Sequence, residues 1–260
     1  MASNNNDELV LVTGASGYIA THIVKQLLEA GYRVRGTVRS VKDEKKVAPL
    51  RKLCPNAKHE VELVEADLNK EDGWLEAVNG CTYVLHTASP FPNTAPKHED
   101  DLIKPAVNGT LFVLRACAGD TSTVRRVVLT SSVAAIAGDN FSDGYTYTEK
   151  DWPKVDGQLG NYHSLFYLIL QYSPSNAYTK SKILAERAAW NFLKERQGKG
   201  LKTFELTTIN PGYVMGPLLH DSPCTSTEII GKMMRREMPF LPQLYMPACD
   251  VRDVAQAHIK

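Results

Sequence analysis

This chain predicts an α/β protein, a doubly wound parallel sheet with helices on both faces, and three observations lead there. Short apolar runs alternate with helical patterns from Leu9 to Ile209. The first run ends on a glycine-rich turn that itself opens a helix. No internal repeat suggests a different architecture. The 260 residues, 43% hydrophobic and 23% charged, are enough for a sizeable core. They suit one large domain, or one domain with an appendage.

The elements follow in order. Leu9 to Thr13 reads as a buried strand. Tyr18 to Ala30 has helical spacing, with Ile19, Ile23 and Leu27 on one stripe and Gly31 placed to end it. Arg33 to Val38 is the second strand, Lys42 to Leu53 a charged helix, and Val61 to Ala66 the third strand. Gly73 to Val78 is helical, and Tyr83 to His86 is the fourth strand. Ile103 to Ala118 is a long amphipathic helix and Val127 to Thr130 the fifth strand. Tyr178 to Gln197 is another long helix, and Phe204 to Ile209 the sixth strand. After Pro211 prolines and methionines crowd together, as in a substrate-side segment rather than more regular sheet. We therefore divide the chain into a domain over 1–210 and a small, incomplete lobe over 211–260.

The first strand runs into Gly14-Ala-Ser-Gly17-Tyr-Ile-Ala20. Gly14 permits a tight turn, Gly17 lets backbone approach a pyrophosphate, and Ala20 is small enough for close helix–strand packing. The pattern alone is weak, and an ordinary strand–helix turn is the bland alternative. Its position, after a first strand and at the mouth of a first helix, makes it a Rossmann-type dinucleotide fingerprint. An acidic residue at the end of the second strand would select NAD. The chain instead reads Gly36-Thr-Val-Arg39-Ser-Val-Lys42, with no acid before Asp43. Arg39, helped by Lys42 or Lys46, suits a 2′-phosphate, because a guanidinium forks onto phosphate oxygens. The competing reading is a solvated basic helix start. Asp67 is placed to meet an adenine edge, or else serves a plain strand-end turn.

Tyr178-Thr-Lys-Ser-Lys182 opens the helix after the fifth strand. Positions i and i+4 share a face, so phenol and ammonium point the same way. The ammonium is expected to draw the phenol pKa down, toward use as an acid–base catalyst near neutral pH. Lys182 is also placed to bond a nicotinamide ribose. The fifth strand ends at Thr130-Ser131-Ser132, and a hydroxyl there sits by the crevice where such sheets bind ligands. Ser132 would orient a substrate carbonyl, to which Tyr178 gives a proton as hydride arrives. A lone Tyr-x-x-x-Lys is mostly structural. After a glycine loop and a Ser-tipped strand, in that order, it becomes a catalytic candidate.

Other chemistries are disfavoured. The five cysteines are odd in number and widely spaced, with no CxxC, so neither a disulfide framework nor structural zinc is expected. The seven histidines show no metal-ligand spacing, and no metal is expected. A net charge of +1 provides no field for nucleic acid or anionic membrane. The polar start MASNNNDE carries no signal peptide, and the apolar run Leu165 to Leu170 is too short to span a bilayer. We expect a cytoplasmic protein, monomeric or homodimeric, whose sequons at Asn108 and Asn140 stay unmodified.

These motifs resemble the extended short-chain dehydrogenases/reductases, and within them the dihydroflavonol-4-reductase-like carbonyl reductases. The matching residues are Val12-Thr-Gly-Ala-Ser-Gly-Tyr-Ile, Thr37-Val-Arg39, Ala66-Asp67-Leu68, Val84-Leu-His-Thr-Ala-Ser-Pro90, Thr130-Ser-Ser132, Tyr178-Thr-Lys-Ser-Lys182 and Asn210-Pro-Gly212. They span most of the chain in the family's order. The resemblance implies NADP(H) as cofactor and a small aldehyde or ketone as substrate, with Ser132, Tyr178 and Lys182 catalytic. It also implies a cofactor site of Gly14, Ser16, Gly17, Tyr18, Ile19, Arg39, Lys46, Asp67, Leu68, Thr87, Ala88 and Ser89. Tyr178, Lys182, Pro211 and Gly212 complete that site at the nicotinamide end.

Three departures stand out. Ala137 occupies the place of an asparagine that grips substrate in flavonoid reductases, which argues against a flavonoid. Gly160 to Tyr172 reads as an apolar insertion. The chain stops at Lys260, where the family pattern begins a helix and continues, so part of the substrate lobe is expected to be missing. Two alternatives stay open: another chemistry on the same scaffold, such as a hydroxysteroid dehydrogenase or nucleotide-sugar epimerase, and a truncated, weakly catalytic cofactor-binding isoform.

Overall fold

A computed structural model of the chain describes residues 7–90, 96, 98–137, 145–153, 155, 175–220, 225–237 and 247–260. The Gly160–Tyr172 insertion and Asn140 lie outside them. Six parallel strands form one sheet in the order β3-β2-β1-β4-β5-β6. They are β1 Leu9–Thr13, β2 Arg33–Val38, β3 Glu62–Glu65, β4 Tyr83–His86, β5 Arg126–Thr130 and β6 Glu205–Ile209. Chain order reverses between β1 and β4, which pair Val10 with Tyr83 through Thr13 with His86. A crevice opens there at the carboxyl ends of the strands.

The burial pattern explains the order. All five residues of β1, LVLVT, are buried, as a central strand covered on both faces requires. The outer strands β3 and β6 carry exposed Glu62, Glu65 and Glu205, charges that also discourage edge pairing. On one face lie α3 Trp74–Val78, α4 Asp100–Cys117 and α5 Ser175–Gly198, with α4 against α5. Leu11, Trp74, Val113, Leu114 and Leu193 pack between them and the sheet. On the other face, α1 Tyr18–Glu29 and α2 Glu44–Arg51 bury Ile23, Leu27, Val47 and Leu50 against Val10, Val12 and Val34. Each such side chain contributes roughly 1.5–3 kcal/mol of transfer free energy. Arg35 ties the layers together: its guanidinium pairs with Glu62 at 2.9 Å and donates to the carbonyls of Ala77 and Asn79 at 3.0 and 2.7 Å, closing the end of α3.

Boundaries shift where local chemistry overrides periodicity. The fourth helix starts at Asp100, not Ile103, because Asp100 and Asp101 suit a helix N-terminus. Gly73 precedes α3 in a left-handed conformation and so stands outside it. The helix of the Tyr-x-x-x-Lys pair begins at Ser175, which places Tyr178 within the first turn rather than at the start.

Beyond residue 210 lies a second, two-stranded parallel sheet of β7 Tyr213–Met215 and β8 Ala248–Asp250. Here α6 Thr225–Met234 packs on β7, while α7 Val251–Ile259 packs on α1. The side chain of Asp250 caps α7, accepting from the Arg252 amide at 2.8 Å. Gly212 allows β7 and β8 to meet: a Cβ there would lie 2.3 Å from the Pro247 carbonyl oxygen, which accepts the Tyr213 amide at 2.7 Å. Among the described residues no helix is long and apolar enough to cross a membrane, and no cluster of His, Cys, Asp and Glu could hold a metal. Cys54, Cys81, Cys117 and Cys249 are free thiols, and Cys224 lies outside the described residues.

Candidate active site

Four strand ends converge on the crevice. From β1 the chain turns at Gly14, whose φ of +63° and closeness to Ala88 (a Cβ would lie 3.1 Å from the alanine Cβ) both exclude a side chain. The turn is held from β2, where Thr37 accepts the Gly14 amide at 2.9 Å. Gly17 is the N-cap of α1 and contributes no side-chain cap. The first amides of α1 are thus left without a side-chain acceptor, facing the crevice with the positive end of the helix dipole. Ser16, Tyr18 and Ile19 flank this turn, each partly buried.

From β4 come Thr87, Ala88 and Ser89. The Thr87 hydroxyl donates to the Thr13 carbonyl at 2.5 Å, and the Ala88 amide to the Thr13 hydroxyl at 3.0 Å. His86 Nδ1 meets the same hydroxyl at 2.8 Å. The buried threonine therefore clamps the loop after β4 onto the glycine turn. The His86 ring is fully buried, and its Nε2 has no partner among the described residues. Burial, aided by the Lys182 charge, pushes its pKa down to about 3, so it is neutral at physiological pH.

From β5 comes Ser132, buried, with its hydroxyl oxygen accepting the Ala134 amide at 3.1 Å and capping the short 3-10 turn Val133–Ala135. The same hydroxyl is hydrogen-bonded to the Tyr178 phenol. Tyr178 and Lys182, one turn apart on α5, share a face: Lys182 Nζ lies 5.9 Å from the centre of the Tyr178 ring and donates to Ser89 Oγ at 3.1 Å. The three residues that the sequence singled out are thus brought together, 46 residues apart in the chain for Ser132 and Tyr178 (178 minus 132).

The electrostatics differ from expectation. Burial raises the phenol pKa above its ordinary value, and the Ser132 bond only partly offsets that. The ammonium is directed toward Ser89 rather than the phenol oxygen, so it does not pull the phenol down. Lys182 is itself lowered to about 8 by burial, against the opposing charge of Glu186.

The remaining candidates take several positions. Arg39 and Lys42 are exposed just beyond β2, and Arg39 forms no ion pair among the described residues. Lys46 lies 4.0 Å from Asp43 on the same side. Asp67 accepts the Asn69 amide and Nδ2, both at 2.9 Å, so it does build a strand-end turn. Leu68 packs beneath it against Gly109 of α4. Pro211 accepts the Val133 amide at 3.0 Å, and Gly212 follows it to the second sheet. Ala137 follows the 3-10 turn, its amide donating to the Val133 carbonyl at 2.8 Å.

Sequence reasoning missed four supports of the site. Thr13, His86 and Asn210 enter the sequence argument only as strand or motif residues with no role of their own, and Glu186 does not enter it. Asn210 Nδ2 donates to the Ser132 carbonyl at 3.1 Å and to Glu186 at 2.9 Å. Glu186 carries a signal the sequence does hold: it extends the Tyr178, Lys182 series by a further four residues, on a helix face that also carries Ala185, Ala189 and Leu193.

Residues 10–260 match the model of the NAD dependent epimerase/dehydratase family. The chain is 39% identical over 259 residues to cinnamoyl-CoA reductase CAD2 of Medicago truncatula, covering 100% of this chain and 73% of that protein. It is 36% identical over 253 residues to dihydroflavonol 4-reductase of Arabidopsis thaliana, covering 97% of this chain and 61% of that protein. The structure superposes on yeast methylglyoxal/isovaleraldehyde reductase Gre2 complexed with NADPH, with a TM-score of 0.76 and 35% identity over 96% of this chain and 73% of that one. A six-stranded doubly wound sheet, a glycine turn at its switch point and a Ser, Tyr and Lys converging beside it agree with those likenesses: the chain belongs to the NAD dependent epimerase/dehydratase family, among the extended short-chain dehydrogenases/reductases.

Proposed function

We propose that this chain is an NADPH-dependent reductase of a small aldehyde or ketone. The observation that carries the reading is the convergence of Ser132, Tyr178 and Lys182 beside the uncapped N-terminus of α1. The chain is an oxidoreductase and NADP(H) is its cofactor. The residues present fit that group. Gly14 and Gly17 leave the turn bare, the α1 amides face the crevice, and Arg39 and Lys42 supply exposed positive charge where a 2′-phosphate would lie. Lys46, Asp67, Leu68 and the Thr87–Ser89 loop would line the adenosine and ribose side. When bound, NADPH supplies the hydride.

The chain's own residues do the rest. Ser132, held in place as a cap, donates a hydrogen bond that fixes the substrate carbonyl oxygen. Tyr178 keeps its proton at neutral pH, as any phenol does there; burial raises its pKa further, which makes it a weaker acid but leaves the proton in place for donation to that oxygen. Lys182 would hold the nicotinamide ribose, and Pro211 and Gly212 would line the nicotinamide end. Residues 1–210 act as the cofactor-binding domain, and 211–260 as part of a substrate lobe. Ala137 leaves no amide to grip a polyhydroxylated ring, which favours a smaller carbonyl compound over a flavonoid. A cytoplasmic monomer or homodimer suits such a role. The test is NADPH oxidation against a panel of small aldehydes, ketones and a dihydroflavonol. Turnover of the small carbonyls is expected. Absence of any carbonyl-dependent oxidation, in protein that binds NADPH, would overturn the proposal.

A further inference from the structure

Among the described residues, Glu186 is the only buried Asp, Glu, Lys or Arg, at 3% exposure. It stands four residues beyond Lys182 and eight beyond Tyr178 on α5, so all three occupy one face. Its Oε2 accepts the Ser131 hydroxyl and, at 2.9 Å, Asn210 Nδ2; its Oε1 accepts Trp190 Nε1 at 3.3 Å. Asn210 also holds the Ser132 carbonyl. One carboxylate thus ties α5 to the ends of β5 and β6 on either side of Ser132. A recess of about 20 Å³ lies between it and Lys182. Ser89, Thr110, Thr130 and Ser131 contribute its polar walls, and Lys182 and Glu186 are its only charged side chains. That space is large enough for one water, with polar partners on several sides.

A carboxylate buried this way carries a desolvation cost that a glutamine of the same shape would avoid. Three hydrogen bonds alone do not call for the charge. The charge has a nearby object in the Lys182 ammonium, which is itself partly buried and, among the described residues, bonded only to a neutral hydroxyl. We propose that Glu186 is a positioning residue: its negative charge, acting across the water-sized recess, keeps Lys182 an ammonium, while its hydrogen bonds fix Ser132 relative to Tyr178. This rests on the reading of Ser132, Tyr178 and Lys182 given above. Among the described residues, the other titratable groups facing Lys182 are Tyr178 on its own helix and His86 from β4, and both are neutral at pH 7. Neither supplies a counter-charge.

The test separates charge from shape. In full-length protein labelled with 13C-lysine, the Lys182 Cε resonance, assigned by its loss in Lys182→Met, is followed with pH. In Glu186→Gln its midpoint is expected to fall by about one pH unit. In Glu186→Asp, which keeps the charge but shortens the arm, it stays near the unmutated value even where the melt is lower. An unchanged midpoint in Glu186→Gln overturns the proposal and leaves Glu186 a structural anchor. The alkaline limb of kcat for carbonyl reduction should move by the same amount in Glu186→Gln, with KM for NADPH within about twofold. If the unmutated protein reduces no carbonyl, the functional reading fails, while the lysine titration still decides the role of Glu186.

Discussion

At Tyr178 two influences compete, and the outcome decides its use. The sequence places an ammonium one turn away and so predicts a lowered phenol pKa. Burial in the folded protein raises it instead, and Lys182 reaches for Ser89. A phenol that keeps its proton suits reduction, where the group must donate. Tyr178→Phe should therefore lower kcat by about 10²–10⁴-fold, the usual worth of a general acid, with NADPH affinity retained; near-normal turnover would remove Tyr178 from the chemistry. His86 makes a second prediction at this scale. Its folded pKa is about 3, against about 6.5 for an unfolded histidine. Between those values the unfolded chain binds the extra proton, so stability is full above about pH 6.5 and is lost as pH falls toward 3. Burial of His258 lowers its pKa too, and adds to the same trend. The melting temperature should drop from pH 7 to pH 5, and His86→Gln should flatten that slope. An unaltered slope in the variant would assign the loss to other groups.

Among the elements, α7 shows how a helix distant in sequence supports the site. His258 Nδ1 donates to the Val254 carbonyl at 2.7 Å, since a carbonyl can only accept. Its Nε2 is then free to accept the Thr130 hydroxyl, also at 2.7 Å. Thr130 is the last residue of β5, two before Ser132. Val251, Val254 and Ala255 are buried on the same helix. His258→Ala removes buried volume and leaves Thr130 without its partner. We expect a loss of about 2–4 kcal/mol, measured by denaturant unfolding. A change under about 0.5 kcal/mol, as for an ordinary surface site, would show that α7 is not anchored there. The elements themselves were readable to different degrees. The unbroken apolar run of β1 and the stripe of α1 announced themselves, because one pattern repeats at one period. The strands β7 and β8 did not: each has three residues, too few for a period to register, and they form only because Gly212 lets Pro247 approach.

For the molecule as a whole, cofactor binding should appear as stability. NADPH at about a hundred times its dissociation constant stabilises by about 2.7 kcal/mol. For a chain of this size that amounts to roughly 5–10 °C in melting temperature. NADH at the same concentration should raise it less, since Arg39 and Lys42 then meet no 2′-phosphate. Arg39→Ala should narrow the gap between the two dinucleotides. Equal shifts from both in the unmutated protein would refute the assignment of Arg39.

The sequence by itself determined the strand–helix alternation, the bare glycine turn and the identity of Ser132, Tyr178 and Lys182. Those signals are local: a period of two or 3.6, a glycine where a side chain cannot fit, a spacing of four on a helix. Only the tertiary structure decided how these parts act on one another. The clamp of Thr13 on His86 and Ala88 joins residues more than seventy positions apart. The Glu186–Asn210–Ser132 linkage joins α5, β6 and β5. The sign of the Tyr178 shift depends on how much water is excluded, which spacing along one helix does not reveal. Desolvation and long-range hydrogen bonds arise from packing of distant segments, and so become visible only once the chain has folded.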